Sequence, residues 1–182
     1  MRHIALISTG GTIEKTYDER TGSLENRHSI VQRMLARLRL EDTAINSIQM
    51  FQKDSTELTD LDRRRIIEIA RVMSGEGDMD GDGDTDGVVI LHGTDTLCVT
   101  GEMLFKEIPN PKVPIILTGA MRPFEMKRSD ALQNLNESIF ATNALEPGIY
   151  CVAHGRALRF PGVIKDYDRG TFVMVANASP GS

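Results

Sequence analysis

Two short runs of small and hydroxylated residues stand out, each directly after an apolar stretch. Ile4-Ala5-Leu6-Ile7 leads into Ser8-Thr9-Gly10-Gly11-Thr12, and Val88-Val89-Ile90-Leu91 leads into His92-Gly93-Thr94-Asp95-Thr96. A hydroxyl becomes a nucleophile or proton relay only where a neighbouring base or cation can move its proton, and a lysine can serve if burial lowers its pKa. In an open parallel α/β sheet the carboxyl ends of the strands face one crevice, so two such turns can gather several hydroxyls and one carboxylate around a single pocket. That chemistry suits attack on a carbonyl.

Each turn also has a plainer reading. A Gly-rich strand-to-helix turn can cradle a phosphate, although Thr9-Gly10-Gly11-Thr12 lacks the G-x-G-x-x-G spacing and has no lysine at the P-loop position. Thr94 or Asp95 can simply cap the helix that follows.

The elements that must position these turns follow from apolar periodicity. Residues 2 to 8 read as a first strand, and 9 to 27 as a long polar loop. Ile30, Met34, Leu35 and Leu38 recur at helical spacing and predict a helix over 29 to 39. A second strand spans 45 to 51. Thr59, with Asp62 three residues on, predicts a capped helix whose apolar face holds Leu61, Ile66, Ile67, Ile69, Ala70 and Met73.

Residues 88 to 91 are wholly apolar, as expected of a buried parallel strand. A helix over 97 to 107 is stopped by Pro109 and Pro111. Strand 113 to 117 ends at Thr118-Gly119-Ala120-Met121-Arg122-Pro123. A helix over 130 to 144 then carries Ala131, Leu135, Ile139 and Phe140 as its buried stripe, and 148 to 153 is a fifth strand. Strands and helices alternate throughout. This predicts an α/β fold: a doubly wound, mostly parallel sheet with helices on both faces, in three αβα layers joined by right-handed crossovers. Beyond residue 152 the pattern weakens and reads either as a β-hairpin over the pocket or as the opening of a further domain.

A length of 182 residues predicts one domain, taken as 1 to 178 with a floppy tail over 179 to 182. The formal charge of −5 is concentrated: Glu76, Asp78, Asp80, Asp82, Asp84 and Asp86 supply six of the 26 acids, and the other 20 nearly balance 21 bases. No broad basic footprint for nucleic acid results. Arg63-Arg64-Arg65 reads as a solvated helix face rather than an RNA contact. The acidic stretch starts like a calcium loop, but position twelve, counted from Asp78, is Val89 rather than a bidentate Glu, so it reads as a solvated connection.

Cys98 and Cys151 lack CxxC spacing and a histidine at ligand distance, which argues against both a disulfide framework and a zinc site. The first apolar stretch is too short for a signal peptide, and no run reaches the roughly 18 residues of a membrane span. The expectation is a cytoplasmic protein with no metal and no membrane or nucleic-acid partner.

Taken in order, Thr9-Gly10-Gly11-Thr12-Ile13, Asp54-Ser55-Thr56, His92-Gly93-Thr94-Asp95-Thr96 and Gly119-Ala120-Met121-Arg122-Pro123 resemble the N-terminal domain of bacterial-type L-asparaginases. The resemblance covers most of residues 3 to 175. It implies cofactor-free hydrolysis of L-asparagine to L-aspartate and ammonia through a threonine acyl-enzyme, with L-glutamine used weakly if at all. By it Thr12 is the nucleophile, and Thr94 and Asp95 work with a lysine, matched by Lys165. It also gives Asp95 the substrate α-amino group and Ser55 the α-carboxylate, with Asp54, Thr56, Gly11, Gly93 and Ala120 lining the substrate. A plain surface position is the alternative for Lys165. Tyr17 matches the family's loop tyrosine, which by the resemblance polarises the nucleophile, although it lies only five residues after Thr12.

Typical family members carry a second, smaller domain that lends polar residues to a neighbour's site. The sequence is most similar to short-chain asparaginases without it, and a homo-oligomer, dimer or tetramer, is expected. Two other readings remain: the amidase subunit of a tRNA-dependent amidotransferase, and a catalytically weak domain that binds aspartate or asparagine.

Overall fold

The structure is a computed structural model that describes residues 1–75 and 85–175. Its central sheet has six strands. Five of them are β1 (Arg2–Gly10), β4 (Thr43–Lys53), β5 (Gly87–Leu91), β6 (Pro114–Thr118) and β7 (Gly148–Ala153), all parallel, in the spatial order β4-β1-β5-β6-β7. The sixth, β8 (Arg156–Arg159), pairs antiparallel with β7 at the edge. The chain leaves β1 for β4 on one side and returns to β5 on the other, so the ends of β1 and β5 flank the point where strand order reverses, the usual place for a ligand crevice.

Alternation along β1 and β5 divides the core in two. Ala5, Ile7, Val88 and Ile90 pack with helices α2 (Asp60–Met73) and α3 (Leu97–Glu107). Ile4, Leu6, Val89 and Leu91 pack with α1 (Val31–Leu35) and α4 (Ala131–Ala144). Successive side chains of a strand point to opposite faces, so this is the expected three-layer αβα arrangement.

The capping box expected at Thr59 forms: the Asp62 amide donates to Thr59 Oγ1 at 3.2 Å and the Thr59 amide donates to Asp62 Oδ2 at 3.0 Å. Two members of the expected apolar stripes face solvent instead, Leu61 at 58% and Phe140 at 67% exposure. Each directly neighbours an inward position, Asp62 and Ile139, and one helical step of about 100° turns it away from the sheet. The first helix is shorter than predicted. After Leu35 the chain tightens, with amides of Arg37 and Leu38 bonded to carbonyls three residues back, which still lets Leu38 pack against the core.

The stretch read as one long loop contains structure. A 3-10 turn over Thr12–Glu14 is followed by a small hairpin of β2 (Thr16–Asp18) and β3 (Ser23–Glu25). Its closure is polar: the Gly22 amide donates to the Asp18 carbonyl, while the Asp18 carboxylate takes Arg27 and the Arg20 amide. No apolar alternation announces such a hairpin.

Beyond β8, β9 (Val163–Asp166) and β10 (Thr171–Met174) form a separate antiparallel hairpin, the first of the two predicted alternatives for this region. Phe172 on β10 is buried within the same chain beside Phe160 and Val163, whereas Met174 and Val175 are exposed. Residues 76 to 84 of the acidic stretch and the tail 179 to 182 lie outside the described residues. Asp86, at the end of that stretch, accepts the His3 amide at 2.7 Å and leads into β5 beside β1.

Candidate active site

The turns after β1, β4 and β5 meet backbone to backbone. A Cβ placed on Gly11 would lie 2.5 Å from the Gly93 Cα, and one on Gly93 would lie 2.6 Å from the Ser55 Cβ. Only glycine permits this approach, and at Gly11 the φ of +82° adds a second requirement for it. The same layer is tied by Thr9 Oγ1 donating to the Leu91 carbonyl at 2.9 Å and by the Gly11 amide donating to the Lys53 carbonyl at 2.9 Å. Thr12 and Thr94 are therefore the residues next to two touching glycines, at the carboxyl ends of neighbouring strands.

Thr12 is half-buried and opens the 3-10 turn. Two residues on, Glu14 is completely buried and accepts Ser8 Oγ, Ser29 Oγ at 2.6 Å and the Ile30 amide at 3.2 Å. Three donors from β1 and from the start of α1 thus fix the turn that presents Thr12. Nothing in the sequence marks Glu14, because its partners are contributed by other elements.

Lys165 is drawn inward rather than displayed. Its side chain is 12% exposed, and Nζ donates to Thr94 Oγ1 at 2.8 Å and to Asp95 Oδ1 at 2.6 Å. Thr94 is buried while Asp95 is exposed, so the three groups run from the interior to the crevice. The Tyr167 ring lies 4.8 Å from Nζ and adds a cation–π contact. The β9–β10 hairpin, with Val163 and Phe172 anchored in the core, delivers Lys165 to this place.

Ser55 is 1% exposed; its Oγ accepts the Thr96 amide at 3.3 Å and its carbonyl accepts Thr96 Oγ1 at 2.9 Å. Asp54 caps the short turn Ser55–Glu57 and takes Lys15 Nζ at 2.5 Å, and the Thr56 hydroxyl bonds back to it at 3.3 Å. Burial alone would raise the Asp54 carboxyl, but Lys15 and the Thr56 amide outweigh it and hold it below the usual carboxylate range. Ala120 is buried in the turn after β6. Tyr17 stands apart, 59% exposed on β2, with its amide donating to Glu125 Oε2 at 3.0 Å.

Two further residues brace the turn after β5. His92 is fully buried, with Nδ1 2.8 Å from the Gly93 carbonyl and Nε2 2.8 Å from Thr100 Oγ1. Burial lowers its pKa to about 4, so the ring is neutral at neutral pH. Arg63 corrects the expectation of a solvated Arg63-Arg64-Arg65 face. It is 6% exposed and donates to the Leu58 carbonyl at 2.6 Å and to Thr96 Oγ1 at 3.0 Å, leaving only Arg64 and Arg65 in solvent. A helical triplet spans about 200° of arc, so one member must face the sheet.

Cys98 and Cys151 are free thiols, and burial pushes Cys98 up to about 11 despite the nearby Lys165 charge. Neither is a thiolate at neutral pH. Among the described residues no cluster of three His, Cys, Asp or Glu side chains could hold a metal, and no helix is long and apolar enough to cross a membrane.

Comparison with known proteins agrees with this architecture. Residues 3–168 match the family described as Asparaginase, N-terminal. The chain is 33% identical over 148 residues to an L-asparaginase of Thermococcus kodakarensis, covering 81% of this chain and 42% of that protein. It is 32% identical over 154 residues to a glutamyl-tRNA(Gln) amidotransferase subunit of Methanobrevibacter smithii, covering 85% of this chain and 34% of that one. The solved thermostable L-asparaginase from Thermococcus kodakarensis superposes with a TM-score of 0.81 at 27% identity, over 95% of this chain and 51% of that one. The chain thus spans from 34% to 51% of the length of these relatives. A sheet, a set of strand-end turns and a sequence match that all run together from residue 3 to residue 168 place the chain in the asparaginase family, along that family's N-terminal part.

Proposed function

We propose that the chain hydrolyses the side-chain amide of L-asparagine, releasing ammonia and L-aspartate through an ester on Thr12. The observation that carries this reading is the Lys165 clasp on Thr94 and Asp95, one residue beyond the contact between Gly11 and Gly93. Thr12 Oγ1 attacks the amide carbon, its proton passes to the leaving nitrogen, and the C–N bond breaks to give the acyl-enzyme and ammonia. Water then adds to the ester and frees aspartate and the Thr12 hydroxyl. Thr94 and Lys165 form the relay that moves the proton.

Lys165 occupies Asp95 Oδ1, and Oδ2 is the oxygen we assign to the substrate α-ammonium. Ser55 takes the α-carboxylate, and Asp54, Thr56, Gly11, Gly93 and Ala120 shape the wall around it. No cofactor is required. Two free thiols suit a reducing compartment, which supports a cytoplasmic protein, and a homo-oligomer completes the assembly.

Ammonia release by the purified chain on L-asparagine and L-glutamine tests the reading, with Thr12→Ala as the control. Release from asparagine that the variant abolishes supports it; tight aspartate binding without turnover would favour a binding domain. The similarity to an amidotransferase component supports a second reading, in which the ammonia serves a partner enzyme. Turnover of free asparagine only after a partner is added would favour that one.

A further inference from the structure

The turn joining β7 to β8 has only two residues, His154 and Gly155, with φ of +54° and +74°. Two consecutive left-handed residues are the mark of a tight hairpin turn that favours Asn-Gly. Histidine tolerates this left-handed conformation, but asparagine is the residue the turn favours.

What the histidine adds is reach. Its Nδ1 lies 2.9 Å from Thr171 Oγ1 and its Nε2 lies 2.8 Å from Asp130 Oδ2. Asp130 is the anchor of the turn after β6: its carboxylate accepts the Met121 amide at 2.9 Å and the Arg122 amide at 3.0 Å. Asn134 Nδ2 bonds both Asp130 Oδ2 and the Gly119 carbonyl, and Asn134 Oδ1 accepts the His154 amide. On the other side, Thr171 begins β10, and the next residue, Phe172, is paired directly with Lys165. The Phe172 carbonyl also accepts Arg156 Nη1 at 3.1 Å, from the first residue of β8. The β9–β10 hairpin lies outside the central sheet, and the β7–β8 turn ties it there by a directed bond.

We propose that His154 is a positioning residue, whose ring bolts the hairpin bearing Lys165 to the Asp130-anchored turn after β6 and so sets Nζ at Thr94 and Asp95. The carboxylate of Asp130 can only accept, so Nε2 is a donor there, and Nδ1 shares the second hydrogen bond with the Thr171 hydroxyl. This goes beyond the proposed reaction but rests on its use of Lys165.

Thr171→Val and His154→Asn test the bolt from both ends, since asparagine fits the turn but falls short of both partners. Each should lower kcat on asparagine on the order of tenfold, with KM within about twofold and Tm little changed, as expected when a reacting group is slightly misplaced. Thr171→Ser keeps the hydroxyl and should restore kcat. The double variant should be no worse than the more impaired single one, because both remove the bond between His154 and Thr171. Wild-type kcat in both single variants, multiplied losses in the double, or failure of Thr171→Ser to rescue would each overturn the proposal. Amide exchange read without substrate keeps the bolt separate from the reaction. In His154→Asn, exchange should quicken over 163–174 and 119–122 alone, and unchanged exchange there would overturn the bolt even if asparagine is hydrolysed. If exchange responds as expected while Lys165→Met keeps full activity, the role given to Lys165 has failed, and with it the positioning role.

Discussion

Lys165 Nζ lies 2.8 Å from Thr94 Oγ1 across 71 residues of sequence, and the bond joins a peripheral hairpin to the turn after β5, a strand buried at every position. Both ends are fixed: Thr94 by the packing of Gly93 on Ser55, Lys165 by Val163 and Phe172 in the core. Loss of the ammonium leaves a buried hydroxyl without its charged donor and Asp95 without its cation. Lys165→Met should therefore lower kcat by about 10²–10⁴-fold, the range for a proton-transfer group, while circular dichroism stays native. Steady-state ammonia release on asparagine measures it, and near wild-type kcat would remove Lys165 from the relay.

Thr12→Ala should abolish turnover while aspartate still binds, because it deletes the attacking oxygen and leaves the charged contacts in place. Calorimetric titration with aspartate alongside the activity assay separates the two effects. Retained activity would assign the nucleophile elsewhere.

Asp95→Asn keeps shape but loses the charge that faces both Lys165 and the proposed α-ammonium. KM for asparagine should rise, and kcat should fall as well, since the lysine loses its counter-ion. The KM of succinamic acid, which lacks the α-amino group, should be far less affected by the change than that of asparagine. Equal effects on both would place Asp95 away from the ammonium.

The centre of the sheet was legible in the sequence because its inner strands carry unbroken apolar runs, and Val88-Val89-Ile90-Leu91 can only be buried on both faces. The turns after β1 and β5 were legible for the same reason, as abrupt changes from apolar to Gly and Thr. What stayed hidden depends on partners far apart in the chain. Glu14, Arg63 and His154 look like ordinary polar residues, and each is recruited by groups from other elements: Ser8 and Ser29, Thr96, and Asp130 with Thr171. The β2–β3 hairpin was hidden too, since Asp18 and its arginines close it without any apolar face.

Gly93→Ala tests the close packing of the turns. The new methyl would lie 2.6 Å from Ser55 Cβ and 2.7 Å from Ser55 Oγ, too close for either side chain to stay where it is. Overpacking of this kind costs about 1–3 kcal/mol, so Tm should fall, and displacement of Ser55 and Thr94 together should reduce kcat and raise KM. Unchanged Tm and kinetics would mean that the turns after β4 and β5 are not packed against each other.

His92 makes the fold less stable in acid. Burial lowers its pKa from 6.5 to about 4; the Gly93 carbonyl opposes the shift and the Arg63 charge adds to it. The unfolded chain therefore takes up the His92 proton at higher pH than the native one. This residue's contribution to stability is complete above pH 6.5 and is lost as pH falls from 6.5 towards 4. Between pH 7 and pH 5 the loss should be on the order of 2 kcal/mol, at about 1.4 kcal/mol per pH unit. Urea unfolding at the two pH values measures it, and His92→Gln, which keeps polar atoms near Gly93 and Thr100 but cannot be protonated, should lack that component. The same pH slope in both proteins would show that His92 is not the group responsible.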